Sequence, residues 1–255
     1  MQHYQFAITR YPGNQPQQGQ TSVDLGAPNV SELHGQHQAY LEVLQSQGLK
    51  LDVLPALDEY PDSYFVEDVA IIVPEMGLIT RPGAETRRNE IDFIQQAVAS
   101  YRELAFIDSP GTLDGGDVLI VNKHCMVGLS ERTNRAGAEQ LAAALKPHGY
   151  RTDIVEVPEA LHFKSSVNFL ADDCLLVTAH CLDFDCLKEY KKLTVPEDEH
   201  YAANVVWIND KILAASHYPG TLELLESNGF EVIPMPVTEI EKMDGGLTCL
   251  SLRIT

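Results

Sequence analysis

Apolar residues along this chain fall in short runs that come in pairs. Each pair follows small or acidic residues and is split by a turn. Glu67-Asp68 leads into Val-Ala-Ile-Ile-Val, a turn at Pro74–Gly77 and then Leu78-Ile79-Thr80. Gly115-Gly116-Asp117 leads into Val-Leu-Ile-Val, a turn at Asn122-Lys123 and then Cys125–Gly128. Ser165-Ser166 leads into Val-Asn-Phe-Leu, a turn at Asp172-Asp173 and then Cys174–Thr178. Ala202–Asn204 leads into Val-Val-Trp-Ile, a turn at Asn209-Asp210 and then Ile212–Ala215. A fifth segment begins at Gly245-Gly246 and runs to Thr255. Paired β-rich runs bounded by turn residues predict hairpins.

The hairpins recur. Asp68 to Asp117 is 49 residues, Asp117 to Ser166 is 49, Ser166 to Ala203 is 37, and Ala203 to Gly246 is 43. Periods of this size signal an array or a propeller. Between hairpins the apolar spacing turns helical over Ala84–Arg102, Thr133–Leu145 and Thr221–Ser227, the last closed by Asn228-Gly229. Each helix leads into a further strand, at Ala105–Ile107, Thr152–Val157 and Glu231–Pro234. The unit is therefore β-β-α-β, about five times over, an α/β architecture. A helix over Gln36–Gln45 and a strand over Lys50–Leu54 complete the last unit, whose hairpin is C-terminal. Termini that share one unit would close a ring and remove its open edges. With no linker or low-complexity segment, residues 1–255 read as one domain; Gly13–Gln20, rich in Gln and Pro, reads as a mobile loop.

Composition narrows the partners. With 37 acidic and 18 basic side chains the net charge is −19. That field repels phosphate backbones and anionic membranes and attracts small cations. No stretch approaches the apolar length of a membrane span, and the N-terminus carries no signal-peptide pattern. The cysteines number five, an odd count in a chain too long for a disulfide scaffold, which points to free thiols in a reducing cytoplasm.

Cys249 stands out by its face. Read as a strand, Leu247–Thr255 puts Leu250, Leu252 and Ile254 on one side and Cys249, Ser251 and Arg253 on the other. A thiol among polar neighbours after Asp244-Gly-Gly is a candidate nucleophile, against the ordinary buried structural cysteine. Cys181 and Cys186 beside His180 are spaced too widely for a metal site and read as a surface helix or loop. His162 heads the third hairpin; Glu67-Asp68 and Asp114-Gly-Gly-Asp117 head the first and second. Should the heads face a ring axis, a thiol, an imidazole and several carboxylates converge there: a nucleophile, a proton shuttle and a cation cradle. The competing reading is that Asp and Gly mark turns and nothing more.

At these residues the chain resembles the dimethylarginine dimethylaminohydrolases of the guanidino-group-modifying (pentein) superfamily. The matching stretches are Pro-Asp-Ser-Tyr-Phe-Val-Glu-Asp (61–68), Ile-Thr-Arg-Pro-Gly-Ala-Glu-Thr-Arg-Arg (79–88), Thr-Leu-Asp-Gly-Gly-Asp-Val (112–118), Gly-Leu-Ser-Glu-Arg-Thr-Asn (128–134), Leu-His-Phe-Lys-Ser (161–165) and Asp-Gly-Gly-Leu-Thr-Cys (244–249). They follow the family's order and cover nearly the whole chain. The resemblance implies a five-bladed ββαβ propeller with pseudo-fivefold symmetry. It implies hydrolysis of Nω-methylated L-arginine to L-citrulline and methylamine or dimethylamine.

Position by position, it implies Cys249 as nucleophile, His162 as general acid/base and Asp114 as the carboxylate between histidine and guanidinium. Some bacterial relatives have Glu in place of Asp114, so here the chain resembles the mammalian type. Glu67 and Asp68 match the guanidinium cradle. Arg87 and Arg132 match the pair that binds the substrate α-carboxylate. Asp62, with the backbone of Met243 and Gln20, matches the surroundings of the α-amino group. Gln20 is a departure, since relatives carry Leu there. No cofactor is implied, and a zinc ion on the thiol and histidine would inhibit. The bacterial relatives are often dimers, so a homodimer is one implied state.

Competing readings are an arginine deiminase-like hydrolase or one for another ω-guanidino acid, and a non-catalytic propeller. Arginine deiminases of the superfamily are longer, agmatine lacks the carboxylate that paired arginines suit, and the superfamily's binding member lacks the Cys–His–carboxylate set.

Overall fold

The computed structural model describes residues 3–157 and 162–255. Leu161, which opens one of the motifs above, and the first two residues lie outside the described residues. The strands form five three-stranded sheets. Four share one order. In the first, β3 (Ala70–Ile72) pairs antiparallel with β4 (Gly77–Ile79), and β4 pairs parallel with β5 (Leu104–Phe106). β6 (Val118–Val121), β7 (His124–Leu129) and β8 (Arg151–Glu156) repeat this, as do β9 (Val167–Ala171), β10 (Cys174–Val177) and β11 (Lys191–Thr194). So do β12 (Val206–Ile208), β13 (Lys211–Ala215) and β14 (Glu231–Met235). The fifth sheet joins both ends of the chain: β15 (Leu252–Ile254) pairs antiparallel with β1 (Phe6–Arg10), which pairs parallel with β2 (Lys50–Leu54).

The core is five wedges, one between each pair of neighbouring sheets. Val118 and Val127 pack with Ile71 and Leu78 of the preceding sheet, whereas Leu119 and Met126 pack with Val167 and Leu175 of the next. Successive side chains on a strand point to opposite faces. Both faces are buried here, so the innermost strands read as unbroken apolar runs rather than alternating ones. Turn chemistry matches: Asn209 and Asp210, between β12 and β13, both take left-handed backbone conformations, with φ of 44° and 76°, as tight hairpins require.

Helices cross over between middle and outer strands. α1 (Val30–Ser46) is capped by Asn29, whose side chain accepts from Glu32 N, and α3 (Arg135–Leu145) by Asn134, which accepts from Gly137 N. α4 (Pro219–Ser227) presents its first N–H groups to Glu199, which accepts from Gly220 N at 2.9 Å and Thr221 N at 2.6 Å. The longest element predicted as a helix departs most. Residues 85–93 form a 3₁₀ helix, and only α2 (Gln95–Ala99) is α-helical. The tighter period stacks residues three apart, which puts Arg87 directly over Glu90; both are buried and ion-paired.

The third unit has no α-helix. Two 3₁₀ turns, Ala179–Cys181 and Asp185–Leu187, lead to β11, whose Lys-Lys-Leu-Thr sequence carries a single apolar residue and escapes a hydropathy reading. Cys181 and Cys186 are buried in the wedge and not on a surface segment. In the fifth unit the predicted strand is replaced over Leu247–Leu250 by a 3₁₀ turn. The hairpin partner of β15 is β1, an element absent from the sequence-based expectation, so the chain's two ends meet inside a hairpin. Residues 13–20 include a 3₁₀ turn at Pro16–Gln18, with Gly13 and Pro16 buried.

Candidate active site

Every innermost strand is preceded by a single 3₁₀ turn: Val66–Val69, Gly115–Asp117, Phe163–Ser165, His200–Ala203 and Leu247–Leu250. The five turns touch in sequence around the axis, so the hairpin heads do face it. Glu67, Asp68 and Cys249 lie within turns; Asp114 and His162 are the residues just before two others; Asn204 follows the fourth. Cys249 and His162 line one small pocket with Lys164, Asn204 and Gly246. Gly116 admits no side chain, because a Cβ there would run into the His162 ring and the Asp68 carboxylate.

His162 Nε2 lies 3.1 Å from Asp114 Oδ2 and 4.0 Å from Asp68 Oδ1. Asp114 is aimed by the Gly83 N–H, which donates to its other oxygen at 2.9 Å. Burial opposes charge on His162, but Asp68, Asp114 and Asp117 more than offset it and lift its pKa to about 9. The ring is therefore an imidazolium at neutral pH. Cys249 is 9% exposed. Burial, then Asp68 and Glu67, push its thiol up to about 12, against the Gly246 N–H, which donates to Sγ at 3.4 Å, and the Lys164 cation. Cys249 is thus a neutral thiol beside a charged acid.

Asp68 is held below the ordinary carboxylate range: burial opposes ionisation, but His162 and Arg87 outweigh it. Arg87 Nη1 sits 2.5 Å from Asp68 Oδ2. Glu67 Oε1 accepts from Lys164 Nζ at 2.6 Å and Arg253 Nη2 at 3.2 Å, while Oε2 is buried with no partner among the described residues. An unpartnered carboxylate oxygen in a dry wall is costly and is an open seat for a cationic donor.

Arg87 and Arg132, paired by the resemblance, differ here. Arg87 is buried, with Nε on Glu90, Nη1 on Asp68, and Nη2 on Glu90 and the carbonyls of Asp62 and Phe65. Its donors are already spent on the walls. Arg132 is partly exposed, and its guanidinium forms no ion pair among the described residues. Asp62 is buried, which raises its pKa, and its carboxylate accepts from Gln20 N. Gly19 is wedged between Asp62 and the Met243 side chain, so the three residues expected around the α-amino group lie together.

The segment after Gly19 bridges the mouth. Gln20 Nε2 donates to Thr86 Oγ1 at 2.8 Å on one side; Thr21 Oγ1 donates to the Lys242 carbonyl at 3.0 Å and Ser22 N to the Asp244 carboxylate on the other.

Lys164, Asn204 and Arg253 were not among the expected site residues. Asn204 Nδ2 donates to the Lys164 carbonyl and Thr248 Oγ1, and its Oδ1 accepts from Thr248 N, tying three turns together. The repeat itself was the available signal, since Asn204 occupies in the fourth unit the place that acids occupy in the first two. Of groups able to hold a metal ion, Asp68, Asp114 and His162 come together, without Cys249. Their contacts to Arg87, Gly83 and each other belong to the site just described.

Five three-stranded sheets around an axis, with a thiol, an imidazolium and carboxylates on the turns at its end, define a pentein-type propeller. Residues 29–254 match the family model described as N,N dimethylarginine dimethylhydrolase, eukaryotic, and the chain belongs to the dimethylarginine dimethylaminohydrolase family. An N(G),N(G)-dimethylarginine dimethylaminohydrolase of Pseudomonas aeruginosa is 35% identical over 252 residues, 98% of this chain and 99% of its own. One from Streptomyces coelicolor is 41% identical over 222 residues, 86% and 84% of the two chains. The solved structure of a cysteine-to-serine mutant of the Pseudomonas enzyme complexed with citrulline superposes with a TM-score of 0.97 at 34% identity, covering 99% of this chain and 100% of that one.

Proposed function

We propose that the protein hydrolyses Nω-methylated L-arginine to L-citrulline and methylamine or dimethylamine, with Cys249 as nucleophile and His162 as general acid/base. One observation carries the assignment: Cys249 and the His162 imidazolium line one pocket at the ring of turns, and Glu67 and Asp68 lie close enough to bear on the thiol. The family's breadth of match supports the substrate class.

A guanidinium carbon is a poor electrophile until its charge is localised and its geometry held. Glu67 Oε2 and Asp68 seat the guanidinium against Sγ. Those same carboxylates suppress the thiolate until substrate enters. An entering cation cancels their field, so the thiol ionises where and when substrate is present. Sγ attacks the guanidinium carbon, and His162 protonates the departing amine as the C–N bond breaks, leaving an S-alkylthiouronium. Neutral His162 then takes a proton from water, the water oxygen attacks the same carbon, and the C–S bond breaks to release citrulline and the thiolate. The chain's own groups suffice for each step.

Arg132 anchors the substrate α-carboxylate, while Arg87 acts from behind by holding Asp68 and the Asp62 carbonyl. Asp62 and the backbone around Gln20 and Met243 take the α-amino group. The whole chain works as one domain, and its five unpaired thiols fit a reducing cytoplasm; no helix in the described residues is long and apolar enough to cross a membrane.

The test is to incubate the protein with asymmetric dimethylarginine, monomethylarginine, arginine and agmatine and to measure ureido product. Methylated substrates yield citrulline, and Cys249→Ser lowers turnover by at least about a thousandfold. Turnover of arginine or agmatine alone rejects the substrate assignment, and an active serine variant rejects the nucleophile.

A further inference from the structure

A second cavity, larger than the pocket of Cys249, opens on the same axis. It is a channel of about 460 Å³ along the propeller axis, on the other side of the ring of turns. Its walls are the five innermost strands, and its outer mouth is reached at the hairpin turns around Pro74 and Asn122. Lys164 and Thr248 line both the channel and the catalytic pocket, so the two sites share one floor. A cleft of a few hundred Å³ with apolar walls and a few placed charges is the usual form of a small-molecule site.

The charge of this channel opposes that of the molecule. The chain carries −19, yet Arg102, Lys123, Lys164 and Arg253 line the cavity against one side-chain carboxylate, Glu67. At the mouth, Lys123 is paired with Glu75. At the floor, Lys164 and Arg253 both hold the same Glu67 oxygen, which leaves one positive charge uncompensated. Lys164 uses one of its three N–H donors on that oxygen. The walls between floor and mouth carry Ile72, Ile120, Phe169 and Trp207, with Asn168 and Ser251 among them.

We propose that this channel is a second ligand site, for a small organic carboxylate with a flat apolar body. The carboxylate sits on Lys164 and Arg253, and the body lies against the apolar residues of the walls. Its way in is the face opposite the segment after Gly19, so it binds together with substrate rather than in its place. Occupancy reaches the reaction through Glu67, which those two cations hold from below; this coupling rests on the reading of Glu67 as a guanidinium ligand, whereas the binding does not.

The experiment is calorimetric or NMR titration with benzoate, with saturating citrulline present to fill the catalytic pocket. Benzamide serves as the uncharged control. Two variants, Ile120→Trp and Ile72→Trp, fill the channel from different walls and leave the catalytic residues in place. Benzoate binds saturably in the millimolar range, benzamide at least tenfold more weakly, and each tryptophan variant loses benzoate binding while keeping wild-type turnover. Benzoate shifts the KM for substrate in the wild-type protein only. Absence of saturable binding, equal binding of benzamide, displacement of benzoate by citrulline, or undiminished binding in both tryptophan variants each overturns the proposal. So does competitive inhibition that persists in those variants, the mark of an anion in the catalytic pocket.

Discussion

At the scale of single residues the site is a set of opposed electrostatic demands. Asp68 both keeps His162 charged and keeps Cys249 neutral, whereas Asp114 acts on His162. Removing one separates the two effects. In Asp114→Asn, His162 loses its hydrogen-bonded anion and its pKa falls. The imidazolium is the acid that protonates the leaving amine, so activity is lost as pH rises through this pKa. The basic limb of the kcat/KM profile therefore moves to lower pH by about 1–3 pH units, and an imidazole NMR titration reports the same displacement. An unmoved limb would assign that ionisation to another group. The residues best read from the sequence were those whose chemistry is unusual at their place: Cys249 among polar neighbours, His162 at a hairpin head and the paired acids. Lys164 and Arg253 were illegible because a cation two residues from a histidine, or on a terminal strand, looks like any solvated charge. Only the fold turns both toward Glu67.

At the scale of elements, apolar patterning located four of the five hairpins, because inner strands buried on both faces leave an unmistakable run. It failed where a partner rather than a pattern decides the conformation. Residues 85–93 are 3₁₀ so that Arg87 and Glu90 can pair inward, and β11 is set by its parallel register with β10. Within α1 one residue is out of keeping with its place. His37 is 1% exposed, its Nε2 has no partner among the described residues, and burial, then His34, bring its pKa down to about 4. A histidine depressed from about 6.5 is neutral in the folded protein and protonates more readily when unfolded. Its effect is nil above pH 6.5, and stability is lost as pH falls from there through 4. The loss reaches about 3 kcal/mol. His37→Leu removes this component, so its urea midpoint falls less than that of the wild type between pH 7 and pH 4. Parallel declines would place the acid lability elsewhere.

At the scale of the whole molecule, net charge and architecture act together. A chain at −19 attracts a cationic head group from beyond contact range, and salt screens that attraction over about 10 Å at 0.1 M. Raising ionic strength from about 0.02 to 0.5 M lowers kcat/KM severalfold, with kcat little changed; a flat response would confine recognition to the pocket. The ring also changes what an activity assay measures. One turn from each sheet supplies a piece of the catalytic floor, and the last piece arrives only when β15 enters the hairpin with β1. No fragment and no open-ringed intermediate carries all five, so turnover serves as a reporter of complete closure. A preparation's specific activity counts the fraction of molecules whose two ends have met.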